Sequence, residues 1–396
     1  MARPAVDAVV IALSGRALAA SALRGGRRVA VIDLFADVDT GHCAAASGRA
    51  PGTLRSGFRA GALLEAARRI APAGVPLVYG SGFDRRARLL HRLSRERPLL
   101  GNSASVVRTI KSPAGFFGLL DRLGIPAPET RLAPPPDRRG WLAKRVGGAG
   151  GAHIRAAELQ VPPGAVYYQR RIPGRPVSAL FLADGSSATM LGFSDQWSLP
   201  DGAGGDYRYG GAAFPAILAA GLESALGGAV RRLVRETGLV GVNSADFLVQ
   251  EGEFVLLEVN PRPGASLDAF DLAFDASLFD LHVGACRGEL PERPPGARRG
   301  AASMIVYARR GIVAPPLEFW PGWVADIPHP GSRVRRGGPV CTVTATAADA
   351  ATSHGLVERR ARDLLAELER INRTAKAVTV AAEVARDPHD SRTAGA

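Results

Sequence analysis

Strand and helix patterns alternate through the first hundred residues, and this alternation restricts the fold more than any other feature. Short apolar runs at residues 6–12 and 28–34 are typical of buried strands, and a helical pattern separates them. A helix at 60–71 and a strand at 76–80 continue the series. Parallel strands need a crossover about as long as a helix, so this order favours a parallel sheet. We therefore predict an N-terminal α/β domain over residues 1–105.

The ligand of this domain stays open at this point. The turn at Ser14-Gly15-Arg16 does not carry the G-x-G-x-x-G pattern of dinucleotide-binding folds. Asp33 ends the second strand, where a ribose-binding acid would stand, but the glycines that would accompany it are missing. Gly80-Ser81-Gly82 opens the next helix, which fits either an anion at the helix N-terminus or an ordinary turn.

Composition excludes several classes of protein. The chain has 396 residues, of which 46% are hydrophobic and 22% charged, unlike a disordered or fibrous protein. It has no apolar run of the ~18–20 residues that a membrane span needs, and its N-terminus lacks the pattern of a signal peptide. Three cysteines (Cys43, Cys286 and Cys341) are too few for a disulfide framework. We predict a cytoplasmic protein without a membrane partner.

The net charge of +13 comes from dispersed arginines. No run of five basic residues and no alternation with aromatic residues is present, so compositional bias explains the charge better than a nucleic-acid partner does. Only three of the 50 basic residues are lysines, namely Lys111, Lys144 and Lys376. Arginine does not replace a compact ammonium at every site, so a retained lysine can mark a functional position. Chance retention explains Lys376, which lies in no motif.

Polar residues interrupt two apolar strand patterns that are joined by a short turn near residue 251. Glu258 and Asn260 are two residues apart and share one face of the second strand, and a tight hairpin places Asp246 across from them. Two carboxylates and an amide oxygen suit Mg²⁺, with phosphate oxygens completing the shell. Arg262 follows on the same face and suits an anion. The alternative, a solvated polar face, does not explain the apolar residues around them.

A second motif joins Lys144 to a glycine-rich turn. A lysine at the end of a strand beside exposed backbone amides can bind phosphate oxygens. The turn is not a P-loop, because G-x-x-x-x-G-K-[ST] is absent. Alone, it is equally compatible with an ordinary glycine hairpin. The predicted phosphate-binding glycines are Gly147, Gly148, Gly150 and Gly151.

The order of these elements resembles the ATP-grasp superfamily of carboxylate–amine and carboxylate–thiol ligases over about residues 1–290. The segment around Lys111, followed by a helix and the sequence LGIPAP, is similar to the one that carries the family's first nucleotide lysine, and Lys144 matches the second. Gln169 and the adjacent Arg170 fall at the family's hinge contact with adenine and ribose. The resemblance implies ATP with Mg²⁺ or Mn²⁺ as cofactors.

The remaining site residues follow from the same resemblance. It implies that Asp246, Glu258 and Asn260 ligate the metal and that Arg262 steadies an acyl phosphate, so Arg262 and Lys144 are the predicted catalytic residues. Many members have glutamate where this chain has Asp246, which shortens the reach but keeps the charge. Gln169 at the hinge is a milder departure from the family pattern.

The resemblance also implies a domain order. We predict an α/β and α+β ATP-grasp fold with a Rossmann-like pre-ATP-grasp domain at the N-terminus. The predicted segments are that domain at 1–105, an ATP-grasp domain of two lobes at 106–290 with a hinge near 169–174, a β-rich unit plus helix at 300–375, and a disordered tail at 384–396. Relatives in the superfamily are often dimers, so a homodimer is included.

Within the superfamily, four segments resemble a branch described as predicted ATP-dependent carboligases, which in methylotrophic bacteria is associated with tetrahydromethanopterin- and methanofuran-type C1 cofactors. These segments are RPVSALFLADG, DQW, YRYGG and LLEVNPRPGAS. The predicted reaction joins a small-molecule carboxylate to an amine, such as glutamate or a tyramine-like group, through an acyl phosphate. Two alternatives stay open: a carboligase acting through carboxyphosphate, and a regulatory protein that binds ATP without turnover.

Overall fold

This computed structural model describes residues 5–201 and 205–386 of the chain. The first hundred residues form a five-stranded parallel sheet in the order β3-β2-β1-β6-β7. Its central strands are fully buried, as expected when helices cover both faces of a parallel sheet. The elements are β1 (Ala8–Ile11), α1 (Arg16–Arg24), β2 (Val29–Asp33), α2 (Val38–Cys43), β3 (Ala46–Arg49), β4 (Gly52–Thr53), β5 (Gly57–Phe58), α3 (Ala60–Ile70), β6 (Leu77–Tyr79), α4 (Ala87–Ser94) and β7 (Leu99–Leu100).

Two short helices lead into a small antiparallel sheet with the strand order β10-β9-β11-β8. Ser112 caps the second helix, its Oγ accepting from the backbone nitrogen of Gly115 at 3.4 Å. The first helix was not predicted and is capped by Ser103. The elements are α5 (Ala104–Lys111), α6 (Pro113–Arg122), β8 (Thr130–Arg131), β9 (Trp141–Arg145), β10 (Ile154–Ala156) and β11 (Val166–Arg170).

An eight-stranded antiparallel sheet follows, in the order β16-β15-β12-β13-β14-β17-β21-β19. Three of its strands come from residues 300–347, so the sheet continues across the predicted boundary before residue 300. The elements are β12 (Arg175–Asp184), β13 (Ala188–Leu199), β14 (Arg208–Phe214), α7 (Ala220–Thr237), β15 (Val240–Gln250), β16 (Glu253–Asn260), α8 (Leu267–Ala273), α9 (Leu278–Cys286), β17 (Gly300–Tyr307), β18 (Ile312–Val313), a 3₁₀ turn (Leu317–Phe319), β19 (Val324–Ala325), β20 (Arg333–Val334), β21 (Pro339–Ala347) and α10 (Ala350–Arg386).

Apolar packing joins the parallel sheet to the large sheet. One buried cluster contains Val10 of β1, Phe270 of α8, Phe279 of α9 and Leu180 of β12. A contiguous apolar core of this kind stabilises the arrangement of both sheets, because separating them would expose all of these side chains to water. The carboxyl ends of β1 and β6 are therefore held close to the hairpin β15–β16.

Three further sequence predictions concern the surface and the termini. Among the described residues, no helix is long and apolar enough to cross a membrane. All three cysteines are free thiols. The predicted disordered tail begins at residue 384, but α10 extends to Arg386, and residues 387–396 lie outside the described part of the chain.

Candidate active site

The hairpin β15–β16 brings the three predicted metal ligands together. Asp246 stands directly opposite Glu258, and Ser244 stands opposite Asn260. Asn260 Nδ2 donates to Asp246 Oδ2 at 3.1 Å, so the amide already touches the carboxylate. Oxygen-bearing side chains thus converge on one face of the sheet, as the two-residue spacing predicts.

The same row continues onto the next strand. Ser178 of β12 pairs in register with Asp246, and its hydroxyl donates to Asp246 Oδ1 at 2.6 Å. The structure makes Ser178 the hydrogen-bond donor that orients Asp246, because a carboxylate with one oxygen bound keeps the other directed to the site.

The surrounding charges shift the pKa values of Asp246 and Glu258 in opposite directions. Desolvation and then the neighbouring charge of Glu258 raise the pKa of Asp246 to about 7. For Glu258 desolvation works in the same direction, but the positive charges of Lys111 and Lys144 outweigh it and lower the pKa. The protein's own positive charges do not fully neutralise two carboxylates this close together. Such a pair is typical of a site that binds a cation.

A divalent metal fits this donor set. In the described ranges no group of three or more His, Cys, Asp or Glu side chains is arranged to hold a metal alone. Two carboxylates and an amide oxygen are instead an incomplete oxygen shell, which suits Mg²⁺ because this ion usually keeps water and takes phosphate oxygens as its other ligands. Asp246, Glu258 and Asn260 would hold it.

Lys111 is the last residue of α5 and reaches into the same site. Its ammonium donates to Asn260 Oδ1 at 3.0 Å and lies 3.8 Å from Glu258 Oε2. The side chain is 8% exposed, so its charge acts where water screens it little. A lysine retained in this arginine-rich chain thus stands against two of the predicted metal ligands.

Asp84 is the functional residue that the sequence did not reveal. It lies in the loop between β6 and α4, and its Oδ1 is 3.5 Å from the ammonium of Lys111 and 3.6 Å from Arg262 Nη2. Burial raises the pKa of Asp84, but the charges of Arg262 and Lys111 together lower it below its ordinary value. Neither carboxylate oxygen has a hydrogen-bond partner within the described residues. The residues just before it, Gly80-Ser81-Gly82, were its only sequence signal.

Lys144 and Gln169 contact each other directly. Lys144 Nζ donates to Gln169 Oε1 at 2.5 Å, and both side chains are buried between β9 and β11. Burial lowers the pKa of Lys144, while Glu258 and Asp246 act in the opposite direction. The predicted hinge residue therefore positions the predicted catalytic lysine.

Arg170 is not brought together with the others. It is exposed on β11, and its guanidinium lies 5.6 Å from the centre of the Trp141 ring. Because successive strand residues point to opposite faces, Gln169 and Arg170 face apart. The structure records no contact between Arg170 and the other predicted site residues in the part of the chain that it describes.

The glycine-rich turn after β9 packs against β14 and its approach. Gly151 has a φ of +72°, and a Cβ built on it would lie 1.6 Å from the carbonyl oxygen of Tyr207. The backbone nitrogen of Tyr209 donates to the carbonyl oxygen of Gly150 at 3.0 Å. A pocket beside this turn is lined by Lys111, Gly147, Gly148, His153, Tyr167 and Glu258, among others.

Residues 116–266 match a protein family described as the ATP-grasp domain. This part of the chain has the ATP-grasp fold. The match contains every predicted site residue except Lys111, including those of the glycine-rich turn and of the hairpin β15–β16. Lys111 and Asp84 lie outside it, before residue 116.

One curated relative shares part of the sequence. Over 222 residues the chain is 26% identical to the carbamoyl phosphate synthase large chain of Deinococcus radiodurans. The alignment covers 50% of this chain and 21% of that protein. The chain thus spans about a fifth of the length of the relative.

Solved structures share the fold over most of the chain. Biotin carboxylase from Campylobacter jejuni, solved as a β,γ-ATP complex, has a TM-score of 0.69 at 14% identity and covers 88% of this chain and 89% of its own. The biotin carboxylase domain dimer of Hydrogenobacter thermophilus 2-oxoglutarate carboxylase, solved with MgADP, ADP and bicarbonate, gives 0.66 at 13%, with 87% of each chain covered. N5-carboxyaminoimidazole ribonucleotide synthetase from Thermus thermophilus gives 0.65 at 18%, covering 91% of this chain and 98% of its own.

Contacts are recorded for two aromatic residues of the large sheet, Trp197 of β13 and Tyr209 of β14. Trp197 stacks on the ring of His354 from α10, with the ring centroids 4.0 Å apart. The backbone carbonyl of Tyr209 accepts from the hydroxyl of Tyr307 at 2.9 Å. Packing against α10 thus accounts for the position of the Trp197 ring. His153 lines the pocket beside the glycine-rich turn, and burial lowers its pKa to about 4.

Proposed function

We propose that this protein is an ATP-dependent ligase that joins a carboxylate to an amine and releases ADP and phosphate. The observation that carries the proposal is the meeting of Lys111 and Arg262, through Asp84, at the oxygen-rich end of the hairpin β15–β16. Cations and a predicted metal site on one face of an ATP-grasp fold suit phosphoryl transfer, which depends on positioning and charge rather than on a protein nucleophile.

Different side chains bind the phosphates of ATP and the reacting carboxylate. Lys111 and Lys144 offset the negative charge of the transferring phosphoryl group, and the glycine-rich turn presents backbone amides to the phosphates. A divalent metal, when bound, supplies further positive charge to the phosphate oxygens. Arg262, 8% exposed and oriented by Asp84, holds the reacting carboxylate.

The reaction balances without a protein nucleophile. A carboxylate oxygen of the substrate forms a bond to the γ-phosphorus of ATP as the bond to the β–γ bridging oxygen breaks, and ADP leaves. The amine nitrogen then attacks the acyl carbon, the acyl–oxygen bond to phosphate breaks, and the amine proton passes to solvent. Burial of Arg262 and Lys144 keeps water from the acyl phosphate.

A second candidate reaction has its own support. One matched structure contains bicarbonate together with MgADP, so bicarbonate could take the place of the carboxylate in this fold. Carboxyphosphate would then form at the same residues. This alternative differs in requiring no amine for ADP release.

The experiment is ADP release with Mg²⁺ and ATP across a panel of carboxylates, each with and without amines, bicarbonate included. ADP that appears only with a carboxylate–amine pair supports the ligase. ADP with bicarbonate alone replaces it with the carboxylating reaction, and ATP binding without ADP release under every condition supports a regulatory protein.

The site assignment is tested by Glu258→Gln, with Glu253→Gln on the same strand as the control. Removing the charge of Glu258 takes away a predicted metal ligand, and we expect substrate-dependent ADP release to fall by at least ~100-fold, which corresponds to about 2.7 kcal/mol. Glu253 is exposed at the far end of β16 and its substitution leaves the rate unchanged. Near-native ADP release by Glu258→Gln would refute the assignment.

The finer predictions are part of the proposal. The panel includes glutamate and tyramine as amines, because the sequence resemblance points to C1-cofactor synthesis. A homodimer is proposed because one matched structure is a domain dimer, and sedimentation analysis tests it. The cytoplasmic location stays a prediction from the sequence.

A further inference from the structure

A cavity of about 340 Å³ opens beside Lys111 on the side of the parallel sheet. Besides Lys111, its wall is formed by three separate segments: the loop that carries Asp84 and Arg85, the end of β9 with the start of its glycine-rich turn, and residues 163–165 before β11. None of the predicted metal ligands lines it, and it shares Lys111, Arg145 and Gly147 with the pocket beside Glu258. The cavity therefore meets the proposed reaction site at these three residues and extends from them toward Asp84, Arg85 and residues 163–165.

Arg85 is held against the glycine-rich turn. A Cβ built on Gly147 would come within 2.3 Å of Arg85 Cγ and 3.1 Å of the carbonyl oxygen of Asp84. The absence of a side chain at Gly147 thus lets the stem of Arg85 cross the turn. Within the described residues, the guanidinium of Arg85 has neither a hydrogen bond nor an ion pair with the protein.

Arg145 brings a second unpaired guanidinium to the same cavity. Its Nε is buried and has no hydrogen-bond partner among the described residues. Burial and the charges of Arg85 and Arg55 lower its pKa, so three arginines stand close enough to repel one another. The one acid in the wall is Asp84, which already faces Lys111 and Arg262. A cavity with this excess of positive charge is complementary to an anion.

We infer that Arg85 and Arg145 form a subsite for a second anionic group, carboxylate or phosphate, on the substrate whose carboxylate is activated. This inference rests on the proposed ligase function. Arg262 holds the reacting carboxylate, and the cavity beyond Lys111 takes the remote anion. The substrate class is therefore a carboxylic acid with at least one further negative charge.

Titration calorimetry on the protein saturated with MgADP tests the subsite without turnover. The probes are butyrate, with one carboxylate, glutarate, with two, and 3-phosphoglycerate, with a carboxylate and a phosphate. We expect glutarate or 3-phosphoglycerate to bind at least ~10-fold more tightly than butyrate, and the tighter of the two identifies the remote anion. Arg85→Ala removes the advantage, since a tenfold change corresponds to the loss of one modest charged contact.

The control is Arg88→Ala, an exposed arginine on α4 that is absent from the cavity wall, and it leaves every affinity unchanged. Two results overturn the inference. One is equal affinity for butyrate and both dianionic probes. The other is an Arg85→Ala variant that loses MgADP affinity by the same factor as probe affinity, because the arginines would then serve the nucleotide. Since no probe turns over, failure of the subsite is distinguishable from failure of the ADP-release panel.

Discussion

Gly150 and Gly151 are neighbours in the glycine-rich turn and both have a positive φ, +69° and +72°. They differ in the space that is available for a side chain. A Cβ on Gly150 would meet nothing within 4 Å, whereas one on Gly151 would overlap the Tyr207 carbonyl oxygen. Backbone cannot move aside as a flexible side chain can. Substitutions at the two positions therefore distinguish the free-energy cost of a left-handed φ from the cost of a steric overlap between a Cβ and the backbone.

We expect Gly151→Ala to displace the turn from β14 and to raise the KM for ATP at least ~10-fold, since the phosphate-binding amides would shift. Gly150→Ala, the matched comparison, keeps the backbone amide and has open space for its Cβ, so it costs about 1–2 kcal/mol of unfolding free energy for its left-handed φ and raises the KM less than Gly151→Ala does. Thermal unfolding and ADP release measure both effects. Equal KM values for the two variants would contradict this account of Gly151.

At the scale of elements, one buried amide ties the connection before α5 to both strands of the site hairpin. Asn102 Nδ2 donates to Asn243 Oδ1 at 2.7 Å and to the carbonyl oxygen of Pro261 at 2.9 Å. Its Oδ1 accepts from the backbone nitrogen of Val240 at 2.8 Å. The side chain thus fixes where Lys111, at the end of α5, stands relative to Asn260 and Arg262.

Replacing Asn102 with alanine leaves several buried polar groups without partners, and we expect a loss of about 2–4 kcal/mol in unfolding free energy. The displaced end of β16 lowers kcat for ADP release at least ~10-fold. Ser103→Ala is the control: it removes the cap of α5, which is worth about 1 kcal/mol, and an exposed hydrogen bond to Ser105, and it keeps kcat. Denaturant unfolding and steady-state kinetics give the comparison, and a native kcat in Asn102→Ala would argue against this positioning role.

The sequence allowed the hairpin to be predicted because its pairing is local. Alternation and a short turn fix which residues of neighbouring strands share a face, so Asp246 and Glu258 could be placed opposite each other. Asp84 and Asn102 could not be found in this way, since their partners lie far along the chain and no periodic pattern marks them. Helix α5 was missed although Val106, Val107 and Ile110 have helical spacing.

At the scale of the whole molecule, Arg16 joins three parts of the chain. From the start of α1 its guanidinium donates to both oxygens of Asp268 on α8, at 2.6 Å each, and to Asp326 beyond β19 at 3.2 Å. The side chain is 7% exposed. One residue thus links α1, which packs on the parallel sheet, to α8 and to the segment that follows β19 of the large sheet.

Arg16→Ala leaves three acids, Asp39, Asp268 and Asp326, without their cation, and we expect the unfolding free energy to fall by about 3–5 kcal/mol. Arg27→Ala removes an ion pair with Asp280 of which the arginine is 52% exposed, so it costs at most about 1 kcal/mol. Denaturant unfolding of the two variants tests the contrast. A similarly small loss of unfolding free energy in both variants would show that Arg16 does not stabilise the contact between these parts of the chain.

The scarcity of lysine has a consequence for chemical labelling. Two of the chain's three lysine side chains, Lys111 and Lys144, lie in the candidate site, and each is 8% exposed. Burial lowers the pKa of Lys144, so a larger part of it is the neutral, nucleophilic amine. An acylating reagent shaped to enter the pocket would therefore modify the chain chiefly where ATP is proposed to bind, and nucleotide would shield those amines. The extent to which these native lysines are acylated would thus report whether nucleotide occupies the site, without an engineered tag.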